Sequence, residues 1–469
     1  MLTKKIEIEK LLAAAKDRDF VHLAFEWAEK HHSGQKRLDG SPYILHPYRV
    51  ALELGKWKMD DTGLIAGLLH DLVEDTDVTV GNIESEFGCE ISSIVAALTK
   101  IKELPSHSKN TENLRQLILA MGKDARVIII RLADKLDNMR TVEFLEAAQR
   151  GRFARGVLEI YGPLAHRLGM NVVKTELEDR AFAVLQESEY RKITERLRRL
   201  HPRASQTIKK VENDIAKILH TNGIREAAIG ARVKSPLSIY RKMKKQSKSI
   251  DELEDIVAVR IITENTADCY KTLALLHEIY VPVSGSFTDY ISYPKLNMYQ
   301  SIHTTCDVGG EIVEFQIRTE GMHRTSEYGI AAHWRYKDMS ARSAKGLKNW
   351  LNSFYEWQMD KLSREEFIRD LKTELSYDEI FVLTPKGDVK RLIAGSSAID
   401  FAYAVHSDIG DHFRGCLING VMQPMNYILK SGDRVEILTA KRAHPSRDWL
   451  KIAKTPSARY KIRRRLRDK

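Results

Sequence analysis

The sequence predicts a multidomain protein: an all-α unit, then an α+β unit, then a small sheet carrying one helix. Three observations predict it. The chain has 469 residues, beyond what one hydrophobic core organises. Up to about residue 200, apolar residues recur at i, i+3 and i+4, the period of an amphipathic helix. From about residue 224 the texture changes to short, β-branched, alternating segments with helical stretches between them.

In the first region the helical period is carried by FVHLAFEWAEKHH, EISSIVAALTKI, NLRQLILAM and ARVIIIRLADKL, separated by Gly, Pro or Ser. A charged helical connector, ESEYRKITERLRRLHPRASQTIKKVENDIAKILHTNG, follows and ends at Gly223. DIVAVRIIT and EIVEFQIRT then read as strands of the α+β unit. A second charged helical stretch, 341–375, leads to EIFVLTP, GDVKRL and RVEILTA, with SAIDFAYAVHSDIG between them, which read as a compact sheet and its helix.

Composition excludes several classes. Hydrophobic content of 43% and charged content of 30% are those of a globular chain, and no apolar run approaches the ~20 residues that span a bilayer. The start, MLTKKIEIEKLLAAAK, lacks the apolar stretch and small-residue cleavage site of a secretory signal. Cys89, Cys269, Cys306 and Cys416 are widely spaced, which argues against a disulfide framework and a thiolate zinc site. A cytoplasmic protein is expected. The net charge of +11 suits either a solvated surface with a frayed basic end, SARYKIRRRLRDK, or a polyphosphate or nucleic-acid partner. Charge alone does not decide.

Two constellations carry chemistry. In TGLIAGLLHDLVEDT an apolar helix contains His70, Asp71, Glu74 and Asp75, with His70/Glu74 and Asp71/Asp75 each stacked one turn apart. YILHPYRVALEL adds His46 ahead of Pro47, near a helix N-cap, a fixed and often exposed spot. VIIIRLADKLDNMRT adds Asp134, with Asn138 and Thr141 on the same face. Any one of these could be structural, and Asp134 could simply pair with Arg131. Together, in apolar surroundings where an unpaired charge is costly, they suit a metal site of Mn, Fe or Zn.

The second constellation lies in the α+β unit. On EIVEFQIRT, Glu314, Gln316 and Arg318 share one face, which must look at solvent or a ligand, while Val313, Phe315 and Ile317 share the other. Asp255 opens the neighbouring strand. An Asp and a Glu on adjacent strands make a platform for Mg²⁺, its shell completed by phosphates. GARVKSPLSIYRKMKK supplies Arg232 and Lys234 ahead of a helix opened by Ser235 and Pro236, followed by Lys242. The loop DYISYPKLNMYQSIHTT supplies Lys295, Asn297, Tyr299, Gln300 and His303, with Tyr299 a candidate for base stacking.

Over nearly its whole length the chain resembles the long Rel/Spo homologues, enzymes that make and destroy the alarmones ppGpp and pppGpp. The resemblance is carried by HDLVEDT, RLADKLDNMRT, RVKSPLSIYRKM, DYISYPKLNMYQSIHTT, EFQIRTEGMHRTSEYGIAAHWRYK and FAYAVHSDIGDHFRGCLINGVMQPMNYILKSGDRVEILT. It implies an all-α HD-type phosphohydrolase domain (1–180), a helical connector (181–223), an α+β nucleotidyltransferase-like synthetase domain (224–340), a helical linker (341–375), a β-grasp TGS domain (376–440) and a basic C-terminal segment (441–469). In the first domain it implies that His46, His70, Asp71 and Asp134 hold Mn²⁺. Glu74 and Asp75 would activate water against the 3′-pyrophosphate, Arg37 would pack on guanine, and Asn138 and Thr141 would contact the nucleotide.

In the second domain it implies transfer of pyrophosphate from ATP to the 3′-hydroxyl of GDP or GTP. Asp255 and Glu314 would hold Mg²⁺, with Glu314 as general base. Tyr299 would stack on the acceptor base, and Arg232, Lys234 and Lys242 would neutralise phosphates. His406 matches a TGS position that touches deacylated tRNA in ribosome-linked members. Two active sites in one chain imply opposed conformations, coupled through the connector near 180–222, because both running together would waste ATP. The chain departs from the family pattern where Asp137 stands for the usual His and Met298 for the Gly before Tyr299; a Cβ at 298 shifts the loop if that position needs positive φ. An alternative expectation is therefore a hydrolase-dominant enzyme with an impaired or silenced synthetase. A further alternative is a tRNA- or ribosome-binding sensor.

Overall fold

The computed structural model describes residues 7–100, 118, 120–253, 256–295, 297–333, 363–375 and 378–467. Most of NLRQLILAM, the strand-opening Asp255 and residues 341–362 of the helical linker lie outside them. The chain forms two compact units, one of residues 1–99 and 126–340 and one of residues 100–125 and 341–469.

The first unit begins as a stack of helices: α1 (Arg18–His31), α2 (Leu45–Lys56), α3 (Asp61–Leu69), α4 (Leu72–Asp75) and α5 (Arg126–Arg140). Local chemistry sets the starts. Asp17 accepts from the Phe20 N–H at 3.0 Å and Asp60 from the Gly63 N–H at 2.9 Å, each satisfying a donor that a helix N-terminus leaves open. α3 and α5 are buried on nearly every side, as expected of helices without a polar face.

The segment GLLHDLVEDT is not one helix. α3 ends at Leu69 and α4 starts at Leu72, so His70 and Asp71 sit at a break. The His70 ring Nδ1 lies 2.9 Å from the Gly67 carbonyl, competing for the acceptor that the ladder bond from the Asp71 N–H would use. His70 is buried there and Asp71 largely so.

α6 (Asn171–Leu185) and the long α7 (Glu187–Thr221) lead into a six-stranded mixed sheet. Its strands are β1 (Ala228–Val233), β2 (Val257–Thr263), β3 (Val281–Pro282), β4 (Thr288–Asp289), β5 (Ile302–Val308) and β6 (Glu311–Thr319), in the order β1-β2-β6-β5-β3 with β4 on β5. Helices α8 (Pro236–Gln246), α9 (Thr266–Ile279) and α10 (Glu320–Tyr328) are interleaved with them. Val259, Ile261, Phe315 and Ile317 form a core with Cys269 and Leu276 of α9 and with Val211, Ile215 and Leu219 of α7. The charged α7 is therefore a wall of the sheet domain over its last turns, rather than a solvated spacer. His303, read in the sequence as a loop residue, lies on β5 opposite Gln316.

The helical and sheet parts meet in a backbone seam. Gly329, at φ 55°, lies so close to the Leu168 carbonyl that a Cβ would stand 1.9 Å from its oxygen, and the Ile330 N–H donates to that same carbonyl at 3.0 Å. On the other side of the seam, Gly169 leaves no room for a Cβ beside the Asn297 carbonyl. Asn171 adds a hydrogen bond from its amide to the Ser326 carbonyl at 2.6 Å.

In the second unit, α11 (Arg364–Glu374) precedes a hairpin of β7 (Glu379–Leu383) and β8 (Val389–Ile393), then α12 (Ala398–Val405) and a sheet of β9 (Phe413–Ile418), β10 (Val421–Gln423) and β11 (Val435–Thr439) in the order β10-β9-β11. The sequence reading missed β9 and β10, whose short FRGCLI and VMQ flank the turn at Asn419–Gly420. The basic end is not frayed. It forms α13 (Pro456–Arg467), whose Ala458 and Ile462 join the core with Phe401 and Trp449. Buried Asp400 accepts from the Lys454 and Thr455 N–H groups, and buried Asp370 takes the Arg459 guanidinium at 2.8 Å.

Replacing Gly329 with Ala forces a side chain into a conformation that favours glycine and against the Leu168 carbonyl. We expect Gly329→Ala to cost on the order of 1–3 kcal/mol or more and to lower the first thermal unfolding transition by several degrees. An unchanged melting curve would show that the seam opens at no cost.

Candidate functional site

α2, the α3–α4 break and α5 bring His46, His70 and Asp134 together from distant parts of the sequence. All three are buried, and one ligand atom of each lies within 4.8 Å of the others. His46 is not at an exposed helix start: α2 begins at Leu45 after an Ile44 cap, and His46 lies in its first turn with only 3% of its surface exposed. Pro47 fits there because the first turn needs no N–H from it. Asp71 completes the group, with its carboxylate 3.5 Å from His46 Nε2 and 3.1 Å from His70 Nε2.

The two imidazoles are held from behind. His46 Nδ1 lies 2.7 Å from Asp137 Oδ2 and His70 Nδ1 lies 2.9 Å from the Gly67 carbonyl, so both Nε2 atoms face the carboxylates. His70 Nε2 is buried and makes no hydrogen bond. A buried ring nitrogen that makes no hydrogen bond and lies beside two aspartates, with each imidazole backed by an acceptor, is a donor set that suits a divalent cation. Asp134 also takes Arg131 at 3.0 Å, Lys135 at 3.4 Å and the Asn138 amide at 2.5 Å. Burial disfavours its charge, but Lys135, His46 and Arg131 hold its carboxyl well below the usual range. Burial likewise opposes a charge on His46, yet Asp134, Asp137 and Asp71 raise it to about 9.

Glu74 and Asp75 follow on α4. Glu74 keeps an exposed edge, but partial burial pushes its carboxyl up to about 7; Arg131 opposes the shift, while Asp71, Asp75 and Asp134 add to it. The Tyr43 hydroxyl lies 2.7 Å from Asp75 Oδ2 and 3.0 Å from Asp71 Oδ2, tying the acidic pair to the histidine–aspartate group. Arg37 stands beside the group, donating to Asp137 at 2.9 Å, Asn138 at 2.9 Å and Thr141 at 3.2 Å. The structure thus brings His46, His70, Asp71, Asp134, Arg37, Asn138 and Thr141 into one connected group. Tyr43, Arg49 and Asp137 belong to it too and were not singled out as site residues. Arg49 follows His46 by three residues on α2, so helical spacing could have flagged it.

In the sheet domain, β1 carries Arg232, 3.0 Å from Gln316, and Lys234 follows it, 3.3 Å from Glu314 of β6. α8 starts as its sequence implies, with Ser235 as cap and Pro236 first, and carries Lys242. Glu314 also faces His303 Nδ1 at 3.3 Å and the Gln316 amide at 3.0 Å. Burial works against its charge, but His303, Lys234 and Gln316 hold the carboxyl far below its usual range. The polar face of β6 does not look at solvent: Arg318 is fully buried, bonded to Ser326 and Gln316.

Nor is Tyr299 an open platform. It is buried, with its hydroxyl 2.8 Å from His303 Nε2, the Arg318 guanidinium 5.3 Å from its ring centre and Lys295 Nζ at 5.5 Å. Asn297 accepts from the Tyr299 N–H at 3.2 Å, and the Gln300 amide donates to the Ile291 carbonyl at 3.3 Å. Met298 between them has φ 65°, the strained conformation that a Cβ at this position makes costly. In the second unit, exposed His406 caps a short helix, its Nδ1 accepting from the Asp408 N–H at 3.2 Å.

Residues 24–171 match the family described as HD domain, residues 231–341 the region found in RelA / SpoT proteins, and residues 380–439 the TGS domain. The chain is 42% identical over 464 residues to a guanosine-3′,5′-bis(diphosphate) 3′-pyrophosphohydrolase of Aquifex aeolicus, covering 98% of this chain and 66% of that protein. It is 41% identical over 457 residues to a GTP pyrophosphokinase of Myxococcus xanthus, with 95% and 60% covered. A third relative, the bifunctional (p)ppGpp synthase/hydrolase RelA of Mycobacterium tuberculosis, is 40% identical over 477 residues, with 99% and 64% covered. The chain therefore spans about three fifths to two thirds of these relatives' length. With the three domains in this order and relatives aligned along nearly all of its residues, the chain belongs to the Rel/Spo homologue family.

Proposed function

We propose that the chain is a bifunctional alarmone enzyme. It hydrolyses (p)ppGpp to GDP or GTP and pyrophosphate in the helical domain, and transfers pyrophosphate from ATP to the 3′-hydroxyl of GDP or GTP in the sheet domain. The observation that carries the hydrolytic half is the convergence of His46, His70, Asp71 and Asp134 on one point beside Arg37. These four residues would hold the divalent cation, and imidazole with carboxylate suits Mn²⁺. A cation there supplies positive charge against the oxygens of the 3′-diphosphate. Arg37, positioned by Asn138 and Thr141, binds the base. Glu74, with its raised pKa, takes the proton from the attacking water, and Asp75, fixed by Tyr43, orients that water. Attack breaks the bond from phosphorus to the 3′-oxygen, which leaves with a proton as the nucleoside hydroxyl.

In the sheet domain, Arg232, Lys234 and Lys242 would bind the ATP phosphates, with Lys295, Asn297, Gln300 and His303 around the acceptor base. Glu314 would share Mg²⁺ with Asp255 and serve as base. Ion-paired to Lys234, Glu314 is a poor proton acceptor; phosphates drawing Lys234 away would free it. Enclosure of Tyr299 and the positive φ of Met298 favour a second reading, in which the hydrolase dominates and the synthetase is conformationally silenced. His406 on the TGS domain is the candidate contact for deacylated tRNA on a ribosome, testable by salt-dependent binding of that RNA.

Incubating ppGpp with protein and Mn²⁺ should yield GDP and pyrophosphate, and chelator or His70→Ala should abolish it; cleavage that survives both would end the hydrolytic proposal. Because the Glu74 carboxyl must be ionised to accept a proton, kcat/KM for hydrolysis should fall about tenfold per pH unit below its pKa. That point lies near 7 in the cation-free site and lower once a cation is bound; a profile flat from pH 8 to 5 would remove Glu74 from the role. With hydrolysis blocked by Asp71→Ala, ATP, GDP and Mg²⁺ should give accumulating alarmone. Adding Met298→Gly should raise that yield severalfold if the strained loop encloses Tyr299, and an unchanged yield would separate the strain from synthesis.

A further inference from the structure

The residue that joins the candidate metal group to Arg37 is Asp137. It is completely buried. Its Oδ1 accepts from Arg49 Nε at 2.6 Å, and its Oδ2 lies 2.7 Å from His46 Nδ1, 2.9 Å from Arg37 NH1 and 3.2 Å from Arg49 NH2. Two arginines and an imidazole thus share one carboxylate.

We propose that Asp137 is a positioning residue for hydrolysis, fixing His46 with its proton on Nδ1 so that Nε2 is presented to a divalent cation, and anchoring Arg37 for the base. The inference rests on the hydrolytic reading of the cluster. His46 and His70 are equivalent in presenting Nε2, but they are backed differently. A main-chain carbonyl backs His70 and cannot be exchanged by substitution, whereas the acceptor behind His46 is a side chain that also holds Arg37. A carboxylate is the group that meets all these demands: it only accepts, it has several lone pairs, and its charge offsets two guanidiniums. An imidazole at 137 could not accept from three donors. An acceptor behind a ligating imidazole sets its tautomer and orientation, and its loss costs about 10–100-fold in metal affinity. The same carboxylate sets where the Arg37 guanidinium lies, so one residue aligns the cation and the nucleoside end of the substrate.

The test is Mn²⁺ affinity, read as free Mn²⁺ by paramagnetic resonance without substrate. His70→Ala should lose the site. Asp137→Asn should weaken binding about 10–100-fold and raise the KM for ppGpp, because the amide offers His46 Nδ1 and Arg37 a donor or a weaker acceptor. Arg37→Ala should raise KM while leaving Mn²⁺ affinity within about twofold, which separates the two arms. For wild-type protein loaded with Zn²⁺ as a diamagnetic probe, long-range ¹⁵N–¹H spectra, assigned by the loss of one ring in His46→Gln, should show His46 with Nδ1 protonated. This readout decides the matter should Asp137→Asn fail to fold. Asp137→Asn affinity within about twofold of wild type, or His46 protonated on Nε2, would overturn the inference alone. Equal Mn²⁺ binding by wild type and His70→Ala would overturn the hydrolytic reading and this inference with it.

Discussion

The helical domain is organised around charge that has been taken out of water. His46, His70, Asp134 and Asp137 are each less than 5% exposed, and Arg131 and Lys135 lie buried beside them. Charges in such surroundings persist only when every one is paired, and removing one partner typically costs about 3–5 kcal/mol. The pairing here is dense. Arg131 donates to Asp134 and to the Leu98 carbonyl, and Lys135 combines Asp134 with the rings of Phe153 and Tyr161 at 5.7 and 5.9 Å. Aliphatic neighbours would stabilise such a core more simply. What the polar network adds is register: in this arrangement of α2, the α3–α4 break and α5 the buried charges are paired, and the same arrangement gathers the candidate ligands.

The same constraint separates what the sequence made legible from what it hid. The candidate ligands were visible because ionisable groups interrupt apolar helical runs, as in LLHDLVEDT, where solvation cannot be the explanation. Strands β2 and β6 were visible because alternation and β-branching coincide. Strands β9 and β10 of the second unit were not, since FRGCLI and VMQ are short and FRGCLI is interrupted by glycine, and α13 looked like a solvated tail because arginines hide the Ala458–Ile462 stripe. The inward-facing role of Asp137 was hidden for another reason. Its three partners come from residues 37, 46 and 49, about a hundred positions away, and nothing local marks a carboxylate as shared. The enclosure of Tyr299 was hidden similarly: its loop looks polar and open in sequence, yet Arg318 and Lys295 lie against the ring.

A helix between the two candidate sites is bonded to both. In α6, Glu176 takes Arg140 through two hydrogen bonds of 2.7 Å, and Arg140, which ends the helix bearing Asp134, also holds Glu53 of α2. Two and three residues on, Glu178 takes Arg241 of α8 at 2.9 Å, and Asp179 accepts from the Leu237 N–H at 3.0 Å, at the start of the helix that follows Lys234. Just before α6, the Leu168–Gly169 seam touches the Asn297 carbonyl, next to strained Met298 and enclosed Tyr299. The expected coupling segment, 180–222, largely follows these contacts, and its α7 is packed into the sheet core. Energetic coupling needs an element with two discrete arrangements that both sites bias. The bonds on α6 and at the glycine seam are the ones such an element would exchange: a shift that released Arg241 from Glu178 would act on α8, and the Arg140–Glu176 pair would pass the same shift to the base of the helix that presents Asp134.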